Sequence, residues 1–89
     1  MNYDPSKPIE FSVHAHEKMI DRGSSEEEVR IAIQKGTPEP TRKGRWMFRK
    51  NFPFDGSWRG KHFAVKQVAP VVVEGDDRVV VVTVFVFYF

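Results

Sequence analysis

Eighty-nine residues provide for one small domain with a single modest core and leave no room for a second. Cysteine is absent, which excludes disulfides and thiolate metal sites, and the lack of a charged-then-apolar leader makes the cytoplasm the expected compartment. The net charge of +2 conceals a polarity: Arg42 to Lys66 carries eight cations against one acid, Asp55, while the remainder carries six cations against eleven acids.

Residues 1–11 hold two prolines and no hydrophobic period, so they read as an irregular lead-in in which Ile9 to Phe11 can form a short strand. The next stretch, HAHEKMIDRG, places His14 and His16 two residues apart. In a strand the two would share a face and could grip one ion; in a helix they point about 200° apart. Ser12 as N-cap, Phe11 at the staple position, Arg22 in the last turn and Gly23 as stop all favour a helix over Val13 to Arg22. A shared metal is thereby discarded. On the helical wheel Ala15, Met19, His16, Ile20 and Val13 span an arc of about 160° facing the core, with His14, Glu17, Lys18, Asp21 and Arg22 on the polar side.

A second helix begins at Ser25, which forms a capping box with Glu28 behind three consecutive glutamates, and ends at Gly36. The run Thr37-Pro38-Glu39-Pro40 prevents its continuation. The helices make a hairpin through Gly23, with Val29, Ala32 and Ile33 as the buried stripe of the second.

Beyond Pro40 the period becomes two. Trp46, Phe48 and Phe52 alternate with Arg45, Met47 and Arg49, the pattern of a half-buried strand with a cationic outer face. The proline- and glycine-rich run Pro53 to Gly60 reads as a loop. A second strand, Lys61 to Glu74, carries a bulge or an edge at Pro70, and Gly75-Asp76-Asp77 turns into a third, Val79 to Tyr88. The expected architecture is α+β: a helical hairpin over 12–36, packed on one face of an antiparallel three- to four-stranded sheet over 44–89, in one domain spanning 1–89. The apolar run Val79 to Phe89, 11 residues, is too short to cross a bilayer as a helix. It is apolar on both faces and lacks any gatekeeper charge, which predicts cover by a partner chain, by a second copy in a homo-oligomer or by folded-back termini, association being the expected case.

His14-Ala15, Lys18-Met19, Arg22-Gly23 and Ser25, followed by Val80-Val81-Val82-Thr83-Val84, resemble a bacterial family of unknown function with an HAxxRMxxRGxS opening and a VVTVY-like ending. That family is similar in fold to the RelE/ParE-like toxins. Here Lys18 stands in place of the family's arginine and Phe85 in place of its tyrosine, leaving Tyr88 as the aromatic hydroxyl near that end. The resemblance implies an RNA-cleaving or ribosome-directed toxin, an endoribonuclease-like activity with an antitoxin-like protein as partner, or a relative that binds without cleaving.

Metal-free RNA cleavage needs a base for the 2′-hydroxyl, an acid for the leaving oxygen and cations for the charge growing on phosphorus. His14 is the candidate acid or base, with Arg22, His62 and Lys66 completing the catalytic set; His16 is assigned to packing. The alternative for His14 is a structural hydrogen bond, and for His62 an exposed strand end. Six aromatic residues lie within the cationic window, a combination suited to phosphates and unstacked bases. Lys18, Arg45, Arg49, Trp58, Arg59 and Lys61 are accordingly the candidate nucleic-acid contacts, with Trp58 either a stacking platform or a plug over the core. No cofactor or metal is expected. A non-catalytic interaction module acting through the C-terminal strand is the competing reading.

Overall fold

Both helices start on the serines the sequence offers. Ser12 accepts a hydrogen bond from the Ala15 amide at 3.0 Å, and Ser25 and Glu28 form the reciprocal capping box. Gly23 closes the first helix in the left-handed conformation, φ 80°. The computed structural model describes residues 6–89. Within it the elements are β1 (Ile9–Phe11), α1 (Val13–Arg22), α2 (Glu26–Lys35), β2 (Thr37–Pro40), β3 (Arg45–Trp58), β4 (Lys61–Glu74) and β5 (Val79–Tyr88). Residues 1–5, part of the expected lead-in, lie outside the described residues.

The protein is α+β; the described residues form two helices and one five-stranded sheet in the order β1-β5-β4-β3-β2. The sheet is mixed rather than antiparallel, because β1 runs parallel to β5. The lead-in supplies β1 over the residues Ile9 to Phe11 read as a possible short strand, whereas Thr37–Pro40, read only as a helix stop, forms an unexpected β2 against β3. A proline-bearing segment fits there because β2 is an edge, where a missing N–H leaves no ladder bond unmade. Helix α1 packs mainly on β5, and α2 on β3 and β4; the two helices touch each other through His16 and Glu26. Ala15, Met19, Val29 and Ile33 meet Phe48, Val68, Val72, Val79, Val81 and Val84 in the core, with Trp46, Phe52 and Val86 packed beside it.

Two irregularities set which residues face the helices. In β3 the expected loop is a strand: Pro53 pairs with Val65, the register shifts before Gly56, and Asp55 takes φ 43° inside the resulting bulge. Beyond Arg49 this strand has a neighbour on one side only, so Pro53 is accommodated at a bulge on a free edge. The chain turns at Arg59-Gly60, both with positive φ (52° and 81°), the geometry of a two-residue type I′ hairpin. In β5, Val72 pairs with Val81 but Val71 pairs with Thr83, so Val82 is the additional residue. The bulge falls one residue beyond Pro70, and β4 continues through it. Buried positions thereby change from Val79 and Val81 to Val84, and Phe85 and Phe87 turn away from the helices.

Two expectations about individual side chains are overturned. His16 is 48% exposed, rests against the Phe11 ring at 5.5 Å and approaches Glu26 at 3.8 Å. It is not a core residue, because α1 buries only the narrow i, i+4 stripe of Ala15 and Met19, leaving Val13 and Ile20 exposed as well. Lys66, which strand alternation from His62 would turn outward beside the expected catalytic groups, is buried at 9% exposure. It shares the face of Val68 and Val72, so it points at the helices.

Candidate nucleic-acid interface

The carboxyl end of α1 is tied down by three side chains from distant strands. Arg59 donates to the Asp21 carbonyl at 3.1 Å, Tyr88 Oη to the Arg22 carbonyl at 2.7 Å and Lys66 Nζ to the Gly23 carbonyl at 2.9 Å. These bonds satisfy carbonyls that a helix terminus leaves without intrahelical partners. Lys66 also pairs with Glu28 at 2.8 Å. Trp58 lies flat on Tyr88, with ring centroids 5.1 Å apart and 14° between planes, and Phe54 and Phe63 close around the same ring. Burial, reinforced by the Glu28 carboxylate and opposed by Arg59, pushes the Tyr88 phenol up from its ordinary pKa. It therefore remains a donor to Arg22. Arg22, Asp21, Trp58, Arg59, Val86 and Tyr88 border a shallow cleft of about 370 Å³. At this junction Trp58 is thus stacked on its inner side by Tyr88 and borders the cleft with its half-buried ring.

Among the described residues, no helix lies on the opposite face of the sheet. On it Phe85 and Phe87 stand 37% and 42% exposed, with Phe89 at 56% beyond them. Their rings lie 6.4 Å apart and 16° from parallel. A guanidinium covers each end of the pair: Arg22 lies 5.0 Å from the Phe85 centroid and Arg49 5.7 Å from that of Phe87. Arg22 reaches this face by wrapping around the edge of β5. There it donates to the Val84 carbonyl at 2.7 Å, just beyond the Val82 carbonyl that Ser12 Oγ bonds at 3.2 Å. Because Val65 and Phe89 exchange backbone bonds, Phe85, Phe87 and Phe89 bond toward β4 while Val84 and Val86 face the open edge. The gatekeeper absent from β5 itself is thus supplied by α1.

Beside Phe87 lies a polar row. Gln67 is its direct partner on β4, and Asn51 is the partner of Gln67 on β3. Arg49 donates to Gln67 Oε1 at 2.9 Å and Gln67 donates to Asn51 Oδ1 at 2.8 Å. Arg49 also meets Glu39 at 3.3 Å, so part of its charge is balanced. These side chains, with Lys35, Lys50 and the backbone of Gly36 and Thr37, line a second depression of about 430 Å³.

The expected catalytic set is not assembled. His14 is exposed on the first turn of α1, while Arg22 is at its far end, about 12 Å along the axis. Arg22 is engaged by Val84 and Phe85, and Lys66 by Glu28 and Gly23. His62 sits on the exposed β3–β4 hairpin, 2.9 Å from Asp55. Of the expected nucleic-acid contacts, Arg45 and Arg49 lie on the outer face with Met47. Trp58 and Arg59 belong to the α1 junction, Lys61 lies over Phe63 at 5.6 Å, and Lys18 is half-buried on α1. Phe85, Phe87, Gln67 and Asn51 were missed; the register shift at Val82 is what brings the two phenylalanines onto this face. Among the described residues, no three histidine, aspartate or glutamate side chains converge as a metal site requires, and no helix is long and apolar enough to cross a membrane. No protein family, curated protein or solved structure matches this chain.

Proposed function

We propose that this protein binds single-stranded RNA on the open face of its sheet and does not cleave it. The observation that carries the reading is the row Arg22, Phe85, Phe87, Arg49, in which a guanidinium flanks each end of a pair of exposed rings on a face that no helix covers among the described residues. Rings stack on unstacked bases and guanidiniums donate to phosphate oxygens, the combination by which open sheets hold single strands. The resemblance to the RelE/ParE-like group makes RNA the expected polymer and supports a toxin-like frame. The dispersal of His14, Arg22, His62 and Lys66 favours a member that binds without cutting.

Fluorescence anisotropy with a labelled octanucleotide tests this. Stacking contributes about 1–3 kcal/mol per base, so Phe85→Ala/Phe87→Ala should weaken binding by about 30-fold or more while folding normally, since both rings are substantially exposed. Affinity should fall with salt with a logarithmic slope of about −2, as expected for some three phosphate contacts to a single strand. Unchanged affinity in the double variant would reject the reading.

A second reading, association through β5, is favoured by the apolar surface of Phe85, Phe87 and Phe89. The closure of its edge by Ser12 and Arg22 leaves only that outer face for contact. A dimer by sedimentation that RNA does not dissociate would favour it.

A further inference from the structure

The polar row beside Phe87 has a direction. Arginine carries donors and no acceptor, so the amide of Gln67 must turn its oxygen to Arg49 and its nitrogen toward Asn51, as the bonds of 2.9 and 2.8 Å record. Asn51 must in turn offer its oxygen to Gln67, which leaves its own NH2 group pointing outward. Asn51 is exposed. Each amide oxygen already accepts one bond and keeps one lone pair, while both Asn51 N–H groups and one on Gln67 are left over, so donors predominate in the open hydrogen-bonding capacity of the row.

The placement of this row decides what it can read. Phe87, Gln67 and Asn51 are successive cross-strand partners on one face, so their Cα atoms are spaced at about 5 Å steps. A base stacked on Phe87 presents its edge to the two amides. Uracil O4, or guanine O6 with N7, meets the donors as an acceptor. Cytosine and adenine bring an exocyclic amino group to the same place, where donor faces donor. Resting on the proposal that RNA binds this face, we infer that the Arg49–Gln67–Asn51 relay makes the site prefer oxo bases, uracil and guanine, over amino bases, cytosine and adenine. Lys35 and Lys50 border the same depression from the helix side of the β3 edge, Lys50 beside the Phe52 ring.

Uridine and cytidine octanucleotides form the test pair, because the two bases stack alike and differ chiefly in a carbonyl against an amino group. Measured by anisotropy at pH 7.5 and one salt concentration, the U octamer should bind at least about fivefold tighter than the C octamer. Asn51→Asp keeps an acceptor for Gln67 and replaces the outward donor with an acceptor. It should weaken binding of both through its charge and bring the U:C ratio to one or below. Equal binding of both octamers by the wild-type protein would overturn the inference and leave the sheet-face proposal standing, whereas binding of neither would overturn that proposal as well. An undiminished U preference in folded Asn51→Asp would remove the relay as its cause.

Discussion

Replacing Lys66 by methionine separates a structural lysine from a catalytic one. The side chain packs at 9% residue exposure and satisfies two acceptors, the Gly23 carbonyl at 2.9 Å and Glu28 at 2.8 Å. Methionine fills a similar volume, so the loss is electrostatic: one carbonyl at the end of α1 loses its donor, and a partly buried carboxylate loses its counter-ion. Breaking a fully buried pair costs about 3–5 kcal/mol, and the Glu28 side chain is 23% exposed, which reduces the expected destabilisation to about 2 kcal/mol. For a domain of this size that lowers Tm by about 8–16 °C. Urea unfolding followed by circular dichroism measures it. Glu28→Gln retains an acceptor for the capping box, so the double variant Lys66→Met/Glu28→Gln should be less destabilised than the sum of the single variants, the signature of a coupled pair. RNA affinity of the folded fraction should not change. A loss under 0.5 kcal/mol, or an additive double variant, would refute the assignment of Lys66 to the fold.

Tyr88→Phe removes the donor to Arg22 and should cost about 1 kcal/mol near neutral pH. Because the folded phenol titrates above its unfolded value, wild-type stability should hold up to about pH 10 and then fall as the unfolded chain loses its proton first; urea midpoints at pH 8, 10 and 11 should show this decline reduced in the variant. Gly23→Ala forces a Cβ into the left-handed region and to within 2.6 Å of Tyr88 Oη and 2.8 Å of the Trp58 ring, so it should destabilise by about 2 kcal/mol or more, measured by thermal melting. His14→Ala, at an exposed position of α1, should alter neither Tm nor RNA affinity, and RNA incubated with the wild-type protein should remain intact on a denaturing gel.

The helices were legible because their signals are local: Ser12, the Ser25–Glu28 box, Gly23 and Gly36 act within a few residues of themselves. The alternation of Trp46 and Phe48 against Arg45 and Arg49 was legible because the two faces differ in chemistry. In β5 both faces are valine and phenylalanine, so nothing in the run from Val79 to Val82 shows where the alternation slips. The slip at Val82 decides that Phe85 and Phe87 face outward. Lys66 was misread for a related reason: its partner Glu28 lies 38 residues away in sequence, and a lysine on a strand reads as exposed unless that partner is known. The pattern from Pro53 to Gly60 resembled a loop because bulge residues and turn residues are the same residue types. His16 failed because the wheel's apolar arc was wider than the stripe that α1 buries. The candidate site was legible only in its cations, Arg22 and Arg49; its rings and amides depend on register.

The most direct test of the account is a map of where RNA touches the protein. Uridine octanucleotide titrated into uniformly 15N-labelled protein should shift the backbone amides of Phe85 and Phe87, the Gln67 and Asn51 side-chain amides and the Arg22 and Arg49 Nε–H signals, while Val29, Ile33 and the exposed helix residues His14 and Glu17 stay in place. Shifts centred on α1 and the β3–β4 hairpin, or none at millimolar RNA, would contradict it.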